Sequence, residues 1–225
     1  MHMNRSAMDW TREYEARDAL WFHDGNKLRP HALLSSGRHS NGFFDSRPIV
    51  DDEVLLSDAA SDLLLLFAQQ GGDISRVEGV VGPETGATKL AKMISNGVKA
   101  YNGRECLWAS PSKNTSPDGV KTMLFSEDQR RIVGGRRILL CEDVLSTGGS
   151  VELTIDAVNC AGGIVLNNIL ILVNRGGLAE VGGKKIVALI DRLMPMWTPD
   201  ECPLCKIGSI ALRGKTNLMA LNAID

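Results

Sequence analysis

The chain has 225 residues, 44% of them hydrophobic and 5% aromatic, enough to bury one sizeable core. A formal net charge of -2 argues against a general nucleic-acid or membrane surface, and no stretch reaches the roughly 20 apolar residues of a membrane span. Five scattered cysteines and no secretory apolar region point to reduced thiols and a cytoplasmic protein. In chain order, hydrophobic spacing predicts helices over residues 9–22, 53–70, 85–95 and 150–161. Between them, short apolar runs predict strands over 77–81, 106–109, 137–143, 166–174 and 185–190. This βα alternation implies a single α/β domain with a central parallel sheet flanked by helices. Residues 110–135, rich in Pro, Ser, Asn, Asp and Gly, read as an irregular lid in which Gly119, Lys121 and Met123 lie on a mobile hairpin. From about residue 194 the chain reads as an irregular tail.

Residues 138–150, ILLCEDVLSTGGS, join a fully apolar strand to two acids, Glu142 and Asp143, and then to a hydroxyl- and glycine-rich turn. The next residues have helical spacing, so the first N–H groups of a helix and the positive end of its dipole face whatever anion the turn receives. Such units lie at the carboxyl ends of strands, where open α/β sheets bind ligands. A phosphate for the turn and vicinal hydroxyls for the two carboxylates describe a ribose 5-phosphate. The stretch resembles the PRPP-binding signature of the type I phosphoribosyltransferases.

A second strand, turn and helix, VVGPETGATKLA at residues 80–91, carries Glu84, Thr85 and Gly86 in a turn like the one that meets pyrophosphate in that family. LLSSGRHSNGFFDSR, residues 33–47, is similar to the N-terminal motif of orotate phosphoribosyltransferases, in which an aromatic pair lies at the base site. Here Phe43 and Phe44 offer a ring face or backbone amides to a planar pyrimidine, or else pack in a core or interface. NILILVNRGG, residues 168–177, ends a strand at Arg175, where the family has an arginine that pairs with the orotate carboxylate. The resemblance extends from about Leu20 to Gly208. The family's mobile loop commonly carries Arg-Lys and Lys-x-His-Gly; the corresponding region here has Lys113, Lys121, Arg130 and Arg131 but no histidine, and Ser35 stands where the family often has lysine.

The resemblance implies the type I phosphoribosyltransferase fold over residues 1–225, with an N-terminal hood over about 1–50 and a flexible catalytic loop. It implies PRPP contacts at Glu142, Asp143, Val144, Leu145, Ser146, Thr147, Gly148, Gly149 and Ser150, with Glu84, Thr85 and Gly86 at the pyrophosphate. Asp143, Glu142, Lys121 and Lys113 are the expected catalytic groups; Phe43, Phe44, Ser146 and Arg175 the expected base contacts. Mg²⁺ would be held mainly by PRPP. The implied partners are PRPP, a nucleobase (orotate) and a second copy of the chain in a homodimer, with no nucleic acid and no membrane. The alternatives are transfer to another base and a non-catalytic PRPP-binding regulator. No resident metal is expected: Cys202 and Cys205 form a CxxC knuckle without a second cysteine pair, and a tight turn is the simplest reading. A metal shared across a dimer or a redox pair are its other readings. Cys106, Cys141 and Cys160 read as small core residues.

Overall fold

The apolar runs fold into strands that dictate the rest of the architecture. A computed structural model of the protein describes residues 4–214, Thr216 and Leu221. In chain order the elements are α1 (Ala7–Glu15), β1 (Leu20–Phe22), β2 (His31–Leu33), β3 (His39–Ser40), β4 (Gly42–Phe44), α2 (Arg47–Val50), α3 (Glu53–Gln69), β5 (Gly79–Val81), α4 (Thr88–Asn102) and β6 (Leu107–Ala109). There follow β7 (Ser112–Thr115), β8 (Lys121–Leu124), α5 (Glu127–Val133), β9 (Arg137–Leu145), α6 (Gly149–Cys160), β10 (Ile164–Asn174), β11 (Glu180–Val181), β12 (Lys184–Asp191), β13 (Met196–Trp197), α7 (Pro203–Lys206) and β14 (Ala211–Arg213).

The main sheet has six strands in the order β11-β12-β10-β9-β5-β6, and every pairing is parallel except that of β11 with β12. Strand alternation divides its core into two layers. Leu139, Cys141, Leu170 and Leu172 pack with α3 and α4, in one cluster that includes Leu56, Leu63 and Ile94. Ile138, Leu140, Ile169 and Ile171 belong to the opposite cluster, with Val151 and Val158 of α6 and Val133 of α5. Buried on both sides, the central strands need continuous apolar sequence, which is what made them legible. No helix among the described residues is long and apolar enough to cross a membrane.

Four expectations are corrected. The first helix stops at Glu15, not at residue 22: Asp18 takes φ of 52°, and Leu20–Phe22 leave as β1 to pair antiparallel with β4. Residues 110–135 hold the expected hairpin but are not otherwise irregular. The hairpin β7–β8 is followed by α5, whose N-terminus is fixed by a reciprocal capping box between Ser126 and Gln129. As far as residue 214 the tail is not irregular, because β13 pairs with β3 and β14 with β2 in a four-stranded sheet β13-β3-β2-β14; the rest of the expected tail, apart from Thr216 and Leu221, lies outside the described residues. Cys106 and Cys141 are buried as expected, but Cys160 is exposed at the end of α6.

Candidate functional site

The two turns at the carboxyl ends of β5 and β9 face each other. Gly148 caps α6 with φ of 85°, a left-handed conformation that favours glycine, and no side chain caps the helix. Its first N–H groups therefore remain for an anion. The other turn approaches so closely that a Cβ on Gly86 would collide with the Asp143 carboxylate. The peptide between Glu84 and Thr85 is cis. Glu84 is exposed, and its N–H donates to Pro111 O at 3.0 Å, while the Thr85 and Gly86 amides have no backbone acceptor among the described residues. Residues 84–86 and 142–150 thus form one continuous rim.

The two acids differ in environment. Glu142 is only 7% exposed, and burial, reinforced by the Asp143 charge, pushes its carboxyl well above the usual carboxylate range. Lys113 opposes that rise from the hairpin. Asp143 is half-buried and borders the gap between the turns. Pairing of Lys113 with Met123 and of Thr115 with Lys121 puts both lysines on the hairpin face that Met123 buries. The expected catalytic lysines thus share one face. Arg131 pairs instead with Glu127 and Asp128 within α5.

Arg175 follows β10 and is 2% exposed. Its N–H and that of Gly176 both donate to Leu145 O, and a Cβ on Gly176 would strike the Ser146 carbonyl, so the arginine is pinned against the turn that follows β9. Its Nη2 donates to Ser40 Oγ at 2.6 Å, and Ser40 in turn donates to Pro195 O at 2.7 Å. Its buried Nε has no partner among the described residues, and burial lowers the guanidinium to about 10, so it stays charged at neutral pH. Ser40, part of the SGRHS segment, was not among the expected base contacts.

The aromatic pair splits. Phe44 is 3% exposed and meets Tyr14 edge to face at 5.1 Å, so its ring is a core group and offers no face to a base. Phe43 is half-buried against the small cluster of Trp21, Ala32 and Leu34. What β4 can still offer is backbone. His23 N donates to Asn41 O and Asp45 N to Ala19 O, a spacing that puts Phe43 in the hydrogen-bonded position and turns the Phe44 N–H toward the edge away from β1. A surface cavity lies elsewhere, among Glu78, Arg104, Leu107 and Arg136 at the amino ends of the strands. The converging turns, not cavity size, mark the site.

The chain is 31% identical over 197 residues to the orotate phosphoribosyltransferase of Pelotomaculum thermopropionicum, an alignment covering 87% of this chain and 93% of that protein. The chain belongs to the type I phosphoribosyltransferases. A second relative, the orotate phosphoribosyltransferase of Caldicellulosiruptor bescii, is 30% identical over 83% of this chain and 90% of its own. Among solved structures, orotate phosphoribosyltransferase from Aeropyrum pernix superposes with a TM-score of 0.54 at 24% identity, covering 80% of this chain and 92% of that one. Adenine phosphoribosyltransferase from Rhodothermus marinus gives 0.51 at 22% identity, over 66% of this chain and 86% of that one. These likenesses are to the phosphoribosyltransferase fold and do not distinguish bases. No family model matches the chain.

Proposed function

We propose that this phosphoribosyltransferase transfers ribose 5-phosphate from PRPP to orotate, forming orotidine 5'-monophosphate and pyrophosphate. The observation that carries the choice of base is Arg175, a charged guanidinium almost wholly buried, pinned beside the phosphate turn with Nε unpartnered. Orotate differs from uracil by a carboxylate, and a buried fork of N–H donors suits that group.

The remaining roles follow from charge. The transferred ribose becomes cation-like as pyrophosphate leaves with growing negative charge. The N–H groups opening α6 and the Ser146–Ser150 turn hold the 5-phosphate, while Asp143 and Glu142 take the ribose hydroxyls and lie near the cation. Thr85 and Gly86 amides receive the pyrophosphate, and Lys113 and Lys121 close over it from the hairpin. The closed hairpin keeps water from the reactive centre. The donor set fits Mg²⁺ carried mainly by PRPP: oxygen ligands are what that ion prefers, and the half-buried Asp143 carboxylate is the accessible one. When bound, the ion neutralises pyrophosphate charge. A homodimer, in which a neighbouring copy helps close the hairpin, belongs to the same proposal.

The test is pyrophosphate release from PRPP and Mg²⁺ with a panel of bases. Release with orotate, and little with uracil or adenine, is expected. Release with another base and none with orotate would reassign the substrate, while PRPP binding without release from any base would make the protein a PRPP-binding regulator.

A further inference from the structure

We propose that His31, His39, Cys202 and Cys205 form a tetrahedral zinc site that fastens the C-terminal segment to the N-terminal strands. The CxxC knuckle, read alone, lacks a second ligand pair. The fold supplies it from residues about 170 positions earlier: His31 on β2 and His39 on β3 bring ring nitrogens to the two thiols. One ligand atom from each of the four residues lies within 4.8 Å of all the others.

The separations match the chemistry. His31 Nε2 is 2.9 Å from His39 Nδ1, 3.6 Å from Cys202 Sγ and 3.5 Å from Cys205 Sγ, and Cys205 Sγ is 3.2 Å from His39 Nδ1. Zinc bonds of about 2.0–2.1 Å to nitrogen and about 2.3 Å to sulfur put tetrahedral ligand atoms roughly 3.3–3.8 Å apart. The four separations lie within about half an ångström of those values. Hydrogen bonding alone accounts for the cluster poorly. His31 Nε2 has three close neighbours and at most one lone pair, whereas one ion at the centre serves all four groups.

The surroundings also prepare the ligand. Gly25 N donates to His23 Nδ1, and Ser209 Oγ gives its single hydrogen to Arg29 O at 2.6 Å. Ser209 Oγ must therefore accept from His31 Nδ1, 2.9 Å away, which fixes the tautomer that leaves Nε2 free for a metal. Cys202 precedes the short helix α7, and its carbonyl accepts from Lys206 N, so the knuckle is held by its own backbone. Mixed thiolate and imidazole ligands in a closed set of four favour structural zinc over magnesium.

Zinc content of the native chain, purified without added metal and dialysed, tests this directly. About one equivalent per chain is expected, and the double variant Cys202→Ser, Cys205→Ser should retain almost none. Because that variant can fail to fold, the native chain is also stripped with a chelator and refilled. Its melting temperature should fall on stripping and return with zinc, and cobalt refilling should give the intense visible bands of tetrahedral thiolate coordination. Failure of the native chain to take up zinc, equal zinc retention by the double variant, a cobalt spectrum without thiolate character, or a Cys202–Cys205 disulfide in the native protein would each overturn the site.

Discussion

Burial and the charge of Asp143 raise the Glu142 carboxyl well above the usual carboxylate range, and this has a consequence for stability. The folded chain keeps a proton that the unfolded chain releases above the ordinary glutamate value, so stability is full at low pH and is lost as pH rises toward the elevated folded value. Glu142→Gln removes that loss. Its melting temperature should exceed that of the native chain at pH 8, and the gap should close as the pH is taken down toward the ordinary glutamate value. A gap independent of pH would mean that Glu142 is ionised in the fold. At this scale the sequence was informative where chemistry dictates residue type. Two acids between an apolar strand and a Thr-Gly-Gly turn demanded a polar ligand. At Phe44 it left a ring face, a backbone amide and a core role open, and the edge contact with Tyr14 puts the ring in the core. His31 and His39 were silent because nothing local links them to cysteines so far along the chain.

The elements that carry the site are the turns after β5 and β9, and their contact depends on Gly86. A Cβ there overlaps the Asp143 carboxylate, so Gly86→Ala must separate the turns or rotate the acid. Overpacking of this kind costs about 1–3 kcal/mol. Carried into the PRPP complex, that cost reads in calorimetry as an affinity reduced roughly 5- to 150-fold, each 1.4 kcal/mol being a factor of ten. Unchanged affinity would show that this close approach is not used. The strands of the main sheet were legible because burial on both faces requires unbroken apolar runs, and β9 and β10 exceed their expected spans by only a few residues. Helix α5 was missed although Ser126 and Gln129 spell its capping box, because turn-forming residues dominate its neighbourhood. The overrun of α1 has a different cause. Residues 16–22 are compatible with helix, and pairing with β4 claims Leu20–Phe22 for a strand.

Across the whole molecule, the smaller four-stranded sheet draws on strands from widely separated parts of the sequence. Strands β13 and β14 complete a sheet begun by β2 and β3, which no local pattern in the tail revealed. Through Ser40 this sheet meets Arg175, which in turn leans on the phosphate turn of the main sheet. The proposed phosphate and base sites therefore rest on different layers joined at one arginine. Arg175→Ala separates them: in the proposed function PRPP is held by residues 84–86 and 142–150, whereas an orotate carboxylate needs the guanidinium. A charged hydrogen bond of about 1.5–3 kcal/mol corresponds to a roughly 10- to 150-fold loss of kcat/KM for orotate. The decisive comparison is that loss against PRPP affinity measured without base in the same variant. A selective fall with orotate at near-native PRPP affinity is expected; equal losses in both would reduce Arg175 to a scaffold residue and remove the case for orotate.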